Sequence, residues 1–181
     1  NTMTSSIRYS KNWKGKPFNL TLAANHNQNT NRKQITIDLP SLNFTMNTIY
    51  PFRRKEVVGE TKWYENIGFG YSVNALSTST FYDTVKGESI FRQMIDTLQW
   101  GAQHNVPISL SLPPLGVVQL SPSVSYRETW FQVKSYHFYN AAKDTLFTRT
   151  ENGFFTARQM SFGLSASTPI FGMIAPANKR S

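Results

Sequence analysis

The chain has 181 residues and a net charge of +9, with 39% hydrophobic, 14% aromatic and only 16% charged side chains. The aromatic content excludes a disordered chain, and the absence of cysteine excludes disulfides, thiol chemistry and Cys-ligated metals. No apolar run approaches the ~18 residues of a transmembrane helix, and Ser, Thr and Asn supply much of the polarity that charged side chains supply in an ordinary soluble domain.

The dominant pattern has period two. Ile7 and Tyr9 mark a first strand, and Lys14-Gly15-Lys16-Pro17 is the turn after it, since Gly permits positive φ and Pro fixes its own. From Phe18 to His26, one side carries Phe18, Leu20, Leu22 and Ala24, and the other carries Asn19, Thr21, Ala23 and Asn25. Residues 27–32 form a polar hairpin tip. Ile35/Ile37/Leu39 and Leu42/Phe44/Met46 alternate with opposite parity on the two sides of Pro40, which predicts a bulge or kink there. Tyr50-Pro51-Phe52-Arg53-Arg54-Lys55 ends this strand system.

From Ile67 to Ala75 every odd-numbered residue is apolar or aromatic. Glu88 to Trp100 breaks the pattern, with Ile90, Phe91, Met94, Ile95 and Leu98 at helical spacing. A short amphipathic helix and a strand with a register shift both fit, and both stay open. Alternation returns in Ile108–Leu112, Val118–Tyr126 and Met160–Ser167. The expected architecture is all-β and mostly antiparallel, with about seven to nine strands.

A soluble sandwich also alternates, so the polar face has to discriminate. Strands that face bulk water usually carry Lys, Glu, Asp and Arg, whereas these carry Asn, Ser, Thr, Gly and Gln. Such side chains suit a hydrated lumen, while the opposite faces suit hydrocarbon, where charge is costly and an open sheet edge is not tolerated. Segments of nine residues or so match the ~9–11 tilted residues that cross a bilayer. Aromatics cluster near strand ends as an expected interfacial girdle: Trp13 and Phe18, Tyr50 and Phe52, Trp63 and Tyr64, Trp130 and Phe131, Phe154 and Phe155. The expected fold is an antiparallel transmembrane β-barrel. Leu20, Leu22, Phe44, Ile67, Phe69, Tyr71, Leu120, Val124, Phe162 and Leu164 are expected to face lipid. Asn19, Thr21, Asn25, Asn43, Thr45, Ser72, Asn74, Ser123, Ser125, Ser161 and Ser165 are expected to face the lumen.

Sites for covalent chemistry are thin. His26, His104 and His137 are far apart and have no metal-ligand spacing. There is no G-x-S-x-G elbow and no Gly-rich phosphate loop. Glu56 and Glu60 would pair only on a helix, which Gly59 discourages. No enzyme, metal or cofactor is expected. Lys14, Lys16, Arg32, Lys33, Arg53, Arg54, Lys55, Lys179 and Arg180 lie mostly in turns, as solvated loops or as contacts to anionic lipid headgroups. They are not interleaved with a recognition helix, so nucleic acid is not an expected partner. Asn19-Leu20-Thr21 and Asn43-Phe44-Thr45 match the glycosylation triplet but fall inside expected strands.

An ordered series of motifs resembles one family. Ser5-Ser6-Ile7-Arg8-Tyr9-Ser10-Lys11-Asn12-Trp13 with Gly15 and Pro17-Phe18 comes first, then Asn25-His26-Asn27-Gln28-Asn29-Thr30, Leu39-Pro40-Ser41-Leu42-Asn43-Phe44 and Ile49-Tyr50-Pro51-Phe52. Lys62-Trp63-Tyr64-Glu65-Asn66-Ile67, residues 101–109 and Leu120-Ser121-Pro122-Ser123-Val124-Ser125-Tyr126 follow. Together, from about Ser5 to Phe171, they resemble the barrel section of the lipopolysaccharide-assembly protein LptD of Bacteroidota. The resemblance implies a bacterial outer-membrane translocon that inserts lipopolysaccharide into the outer leaflet without covalent chemistry. It also implies an LptE-like plug lipoprotein, an LptA-like periplasmic bridge and outer-membrane lipids as partners. The whole chain, 1–181, is then expected to be part of one barrel domain. No charged-then-apolar leader is seen at Asn1-Thr2-Met3-Thr4, and residues 175–181 read as a loop, so a fragment of a longer protein is expected. A porin-like or small enzymatic barrel, or a soluble β-barrel with an apolar ligand, are the alternatives.

Overall fold

Each alternating segment pairs with the one before it. In the computed structural model, which describes residues 1–56, 59–83, 89–140 and 145–169, a single antiparallel sheet runs in chain order. Its strands are β1 (Thr2–Asn12), β2 (Phe18–Asn29), β3 (Gln34–Ile49), β4 (Ile67–Tyr82), β5 (Gln99–Leu110), β6 (Gln119–Asn140) and β7 (Thr145–Ser167). The connections β1–β2, β3–β4 and β5–β6 share one end of the sheet, here the lower end. Those of β2–β3, β4–β5 and β6–β7 share the upper end. Among the described residues β1 and β7 do not pair with each other, so the sheet is open. Residues 170–181, including the tail expected to be a loop, lie outside the described residues, as do Lys179 and Arg180.

Local chemistry explains the turns. Gly15 takes φ +70° between β1 and β2, a conformation without penalty only for glycine. In the β2–β3 turn the Asn29 side-chain oxygen accepts the backbone N–H groups of Asn31 and Arg32, each at 3.1 Å. That substitutes for ladder bonds the chain gives up there. Around Pro40 two short expected strands prove to be one continuous β3. The register shifts between Ala23 and Asn25 on its β2 side and between Asp38 and Ser41 on its β4 side. The irregularity absorbs the parity change, so Ile35 and Ile37 join Leu42, Phe44 and Met46 on one face.

Of the two open readings of the Glu88–Trp100 stretch, the short helix is the one observed, and the strand with a register shift is not. A helix, α1 (Ile90–Asp96), comes first, and Gln99 and Trp100 already belong to β5. Glu88 lies outside the described residues. The expected strands at Val118–Tyr126 and Met160–Ser167 are parts of a much longer hairpin. Val133–Asn140 pair only with Thr145–Asn152, beyond the reach of β5. Among the described residues no helix is long and apolar enough to cross a membrane, which says nothing of crossing by strands.

Ile35 and Phe81 are the only buried apolar side chains among the described residues, at 6% and 4% exposure. One sheet layer cannot make a core alone, so its apolar face has to be covered by something else. Ile7, Phe162 and Leu164 stand 76%, 77% and 70% exposed on it.

Candidate functional site

The ladder brings polar side chains together on one face. One row across the sheet reads Ser10, Thr21, Asn43, Asn74, Gln103 and Thr129, and its neighbour reads Asn19, Thr45, Ser72, Asn105, Arg127 and Gln159. Ser123 and Ser125 continue this face on β6, paired with Gly163 and Ser161 of β7, and Ser165 faces Ser121. Asn25 is on it beside Ser6 and Asp38. The register thus places all eleven lumen candidates on one side of the sheet. Several of them bond to polar neighbours on the adjoining strand or loop: Thr21 to Ser10 at 3.3 Å, Asn19 to Asn47 at 3.3 Å, Asn43 to Asn74, and Ser125 to Asn105 at 3.0 Å. Asn43, Asn74, Leu76, Gln103, Thr129 and Phe131 help to line an open groove of about 490 Å³ on this face.

Arg127 was not singled out in the sequence, yet it sits opposite Asn105 in the second polar row. Extending the Ser123/Ser125 parity by one step would have found it. Arg8, paired with Ala23, is a second cation of the same face.

The apolar face carries a geometric signature. Tyr9 shares a row with Leu22, Leu42, Ala75, Ala102 and Trp130. Val124, mid-band on β6, shares a row with Ile108 and Phe69 and, on β7, with Phe162. The rows cross β4 six residues apart, at Ala75 and Phe69, roughly 20 Å at about 3.3 Å per residue. Five strand spacings separate β1 from β6, roughly 24 Å at about 4.8 Å each. A line from Tyr9 on β1 to Val124 on β6 therefore descends across the sheet at about 40°, within the inclination of strands in a membrane barrel.

One row makes the slant visible: Lys11, Leu20, Phe44, Val73, His104, Glu128, Arg158. It is charged at both ends and apolar in the middle, as a row that enters and leaves a slanted hydrocarbon layer should be. At its upper exit Glu128 accepts hydrogen bonds from the Tyr126 hydroxyl and from Trp130 Nε1 at 3.0 Å, with Arg158 Nε 3.5 Å away. Tyr71 Oη and His104 Nδ1 are 2.7 Å apart. Beside this cluster Phe154 packs on Trp100 and Trp130, at 6.0 and 5.8 Å between centroids.

The sequence matches the family model described as LptD protein over residues 1–181. The chain belongs to the LptD family. No curated protein and no solved structure matches it. Membership gives the chain a role in lipopolysaccharide transport or assembly at the bacterial outer membrane.

Within this LptD-family sheet the expected girdle needs one correction. Neighbouring residues of a strand point to opposite faces, so of the upper pairs Trp130/Phe131 and Phe154/Phe155 only Trp130 and Phe154 are on the apolar side, while at the lower end Phe18 stacks on Phe44 of that side. Phe131 and Phe155 stack on the polar face at 5.8 Å. At the lower end Trp13 packs edge-on against Phe18 and Trp63 against Tyr64, at 6.5 and 5.9 Å.

The basic cluster of the β3–β4 loop also reads differently. Arg53 lies over the Tyr50 ring, 4.1 Å from its centroid, and Arg54 Nε meets Glu65 Oε1 at 2.7 Å. Glu65 is fully buried in a short 3-10 turn, Trp63–Asn66, and Arg54 also donates to the Glu60 carbonyl at 3.1 Å. Two of the three cations thus fasten their own loop. Glu65 could not be singled out beforehand, because its burial depends on a loop closing over the sheet.

Tyr50 of that loop reaches the polar face over Gly68. A Cβ at Gly68 would lie 2.8 Å from Thr48 Cγ2, 3.0 Å from Ser109 Oγ and 3.2 Å from Tyr50 Cε1. Gly68→Ala is expected to cost about 1–3 kcal/mol by overpacking. Thermal unfolding of the purified full-length protein checks this, and an unchanged midpoint would mean that Tyr50 does not pack there. The histidines stay apart: His26 on β2, His104 on β5, and His137 on the β6 extension, 3.1 Å from Thr148 Oγ1.

Proposed function

We propose that these seven strands are a wall section of an outer-membrane translocon that inserts lipopolysaccharide into the outer leaflet without covalent chemistry. The observation that carries this reading is the slanted apolar band backed by a polar face built mostly of uncharged side chains in an LptD-family chain. The band holds the wall in hydrocarbon. Asn19, Thr21, Asn25, Asn43, Thr45, Ser72, Asn74, Ser123, Ser125, Ser161 and Ser165 line the hydrated lumen.

Hydroxyl and amide groups exchange hydrogen bonds with sugar hydroxyls at little net cost, because each bond replaces one to water. Scarce charge leaves an anionic headgroup neither trapped nor repelled along most of the face. The groove around Asn74 and Gln103, with the Phe131 ring at its border, suits a transient sugar contact. An LptE-like plug within the lumen and an LptA-like bridge on the periplasmic side complete the proposed assembly, and the whole of 1–181 belongs to the one barrel domain.

Depletion of the full-length protein in its native cell is the test. Loss of lipopolysaccharide from the cell surface is expected, with restoration by the wild-type gene. Unchanged surface lipopolysaccharide on depletion would overturn the proposal.

A further inference from the structure

We propose that α1 lies in the membrane interface as a lipid-embedded brace on the outside of the wall. The inference rests on the apolar face being the lipid-facing one. Thr97, which follows α1, has its hydroxyl 2.6 Å from Ser79 Oγ of β4. Ser79 pairs with Ile37, so it belongs to the apolar face and not to the polar one. The site is just past the band: on β4 Phe69, Tyr71, Val73 and Ala75 give way to Ser77 and Ser79. Trp100, opposite Ser77, places the upper aromatic cluster at the same height.

The helix has three distinct sides. Gln93 and Met94 are half-buried toward the sheet. Phe91 and Ile95, one turn apart, form a second side and are 65% and 52% exposed. Arg92 and Asp96 form the third, an i,i+4 pair 4.0 Å apart with side chains 77% and 67% exposed. A helix of seven residues does not hold itself together in water, so its apolar flank has to rest on something. The lipid that covers Tyr71 and Val73 continues directly to that flank, while Arg92 and Asp96 reach the aqueous side, the arrangement of an interfacial helix.

The occupant is thus the headgroup and upper acyl region of the bilayer. The test uses the full-length protein in phosphatidylethanolamine–phosphatidylglycerol vesicles, with single nitroxide-labelled cysteines at Phe91, Ile95, Val73 and Thr21. The 181 residues contain no native cysteine, so these labels are unambiguous once any elsewhere are replaced. Collision with oxygen several-fold above that with a water-soluble nickel complex is expected at Phe91, Ile95 and Val73, with the reverse at Thr21. Nickel access at Phe91 and Ile95, or access by neither reagent, would overturn the proposal while Val73 still reported lipid. Nickel access at Val73 would instead overturn the membrane orientation of the sheet itself.

Discussion

Phe44→Arg and Leu22→Arg should each destabilise the folded barrel by about 2–4 kcal/mol, the cost of an arginine on the lipid face near the bilayer midplane. Thr45→Arg and Thr21→Arg, each next to one of these positions on the same strand, should cost well under half of that, because they point to the hydrated side. The slant adds a sharper expectation. His104 occupies the same sheet row as Phe44, yet His104→Arg should be much milder, since on β5 that row has reached the Glu128–Arg158 edge of the band. Urea titration of folding into vesicles, followed by heat-modifiable gel mobility, measures all five. Equal costs at Phe44 and Thr45 would remove the two-faced assignment. Equal costs at Phe44 and His104 would remove the tilt.

The second large effect belongs to the β3–β4 loop. Arg54→Ala leaves the Glu65 carboxylate buried without its guanidinium partner. Breaking a fully buried pair costs about 3–5 kcal/mol; with the Arg54 side chain 39% exposed, about 2–3 kcal/mol is expected. Arg54→Ala combined with Glu65→Ala should cost less than the two single changes added together, because the second removes the stranded charge. Limited proteolysis within residues 50–66 reads the loop directly. Simple additivity in the double variant would show that the two side chains do not support each other.

What the sequence disclosed and what it hid follow from the same physics. Alternation is local, so β2 and the lower part of β4 were readable residue by residue, and so was the separation of Leu20 and Leu22 from Asn19 and Thr21. The upper halves of β6 and β7 were not, since Arg127, Glu128, Lys134, Arg149, Glu151 and Arg158 interrupt the two-residue pattern. Their pairing fits strands that pass beyond the apolar band near Glu128 and Arg158. The slant itself is invisible in one strand, because it is a relation between strands and requires the register. Glu65 was hidden for a different reason: nothing local distinguishes a carboxylate that a loop will bury from one that it will leave in water. Pro40 was legible as a break in parity, but not as the middle of one strand.

The slant also fixes how much wall these strands supply. At about 40° and ~4.8 Å spacing, each strand takes roughly 6 Å of circumference, so the seven cover roughly 44 Å. Curled into a ring, that length would give a backbone radius of about 7 Å, an interior filled by its own side chains. A sugar headgroup requires a longer perimeter. The sheet is therefore suited to be an arc, and the outward-facing N–H and C=O groups of β1 and β7 must find ladder partners within hydrocarbon, where no water can replace them.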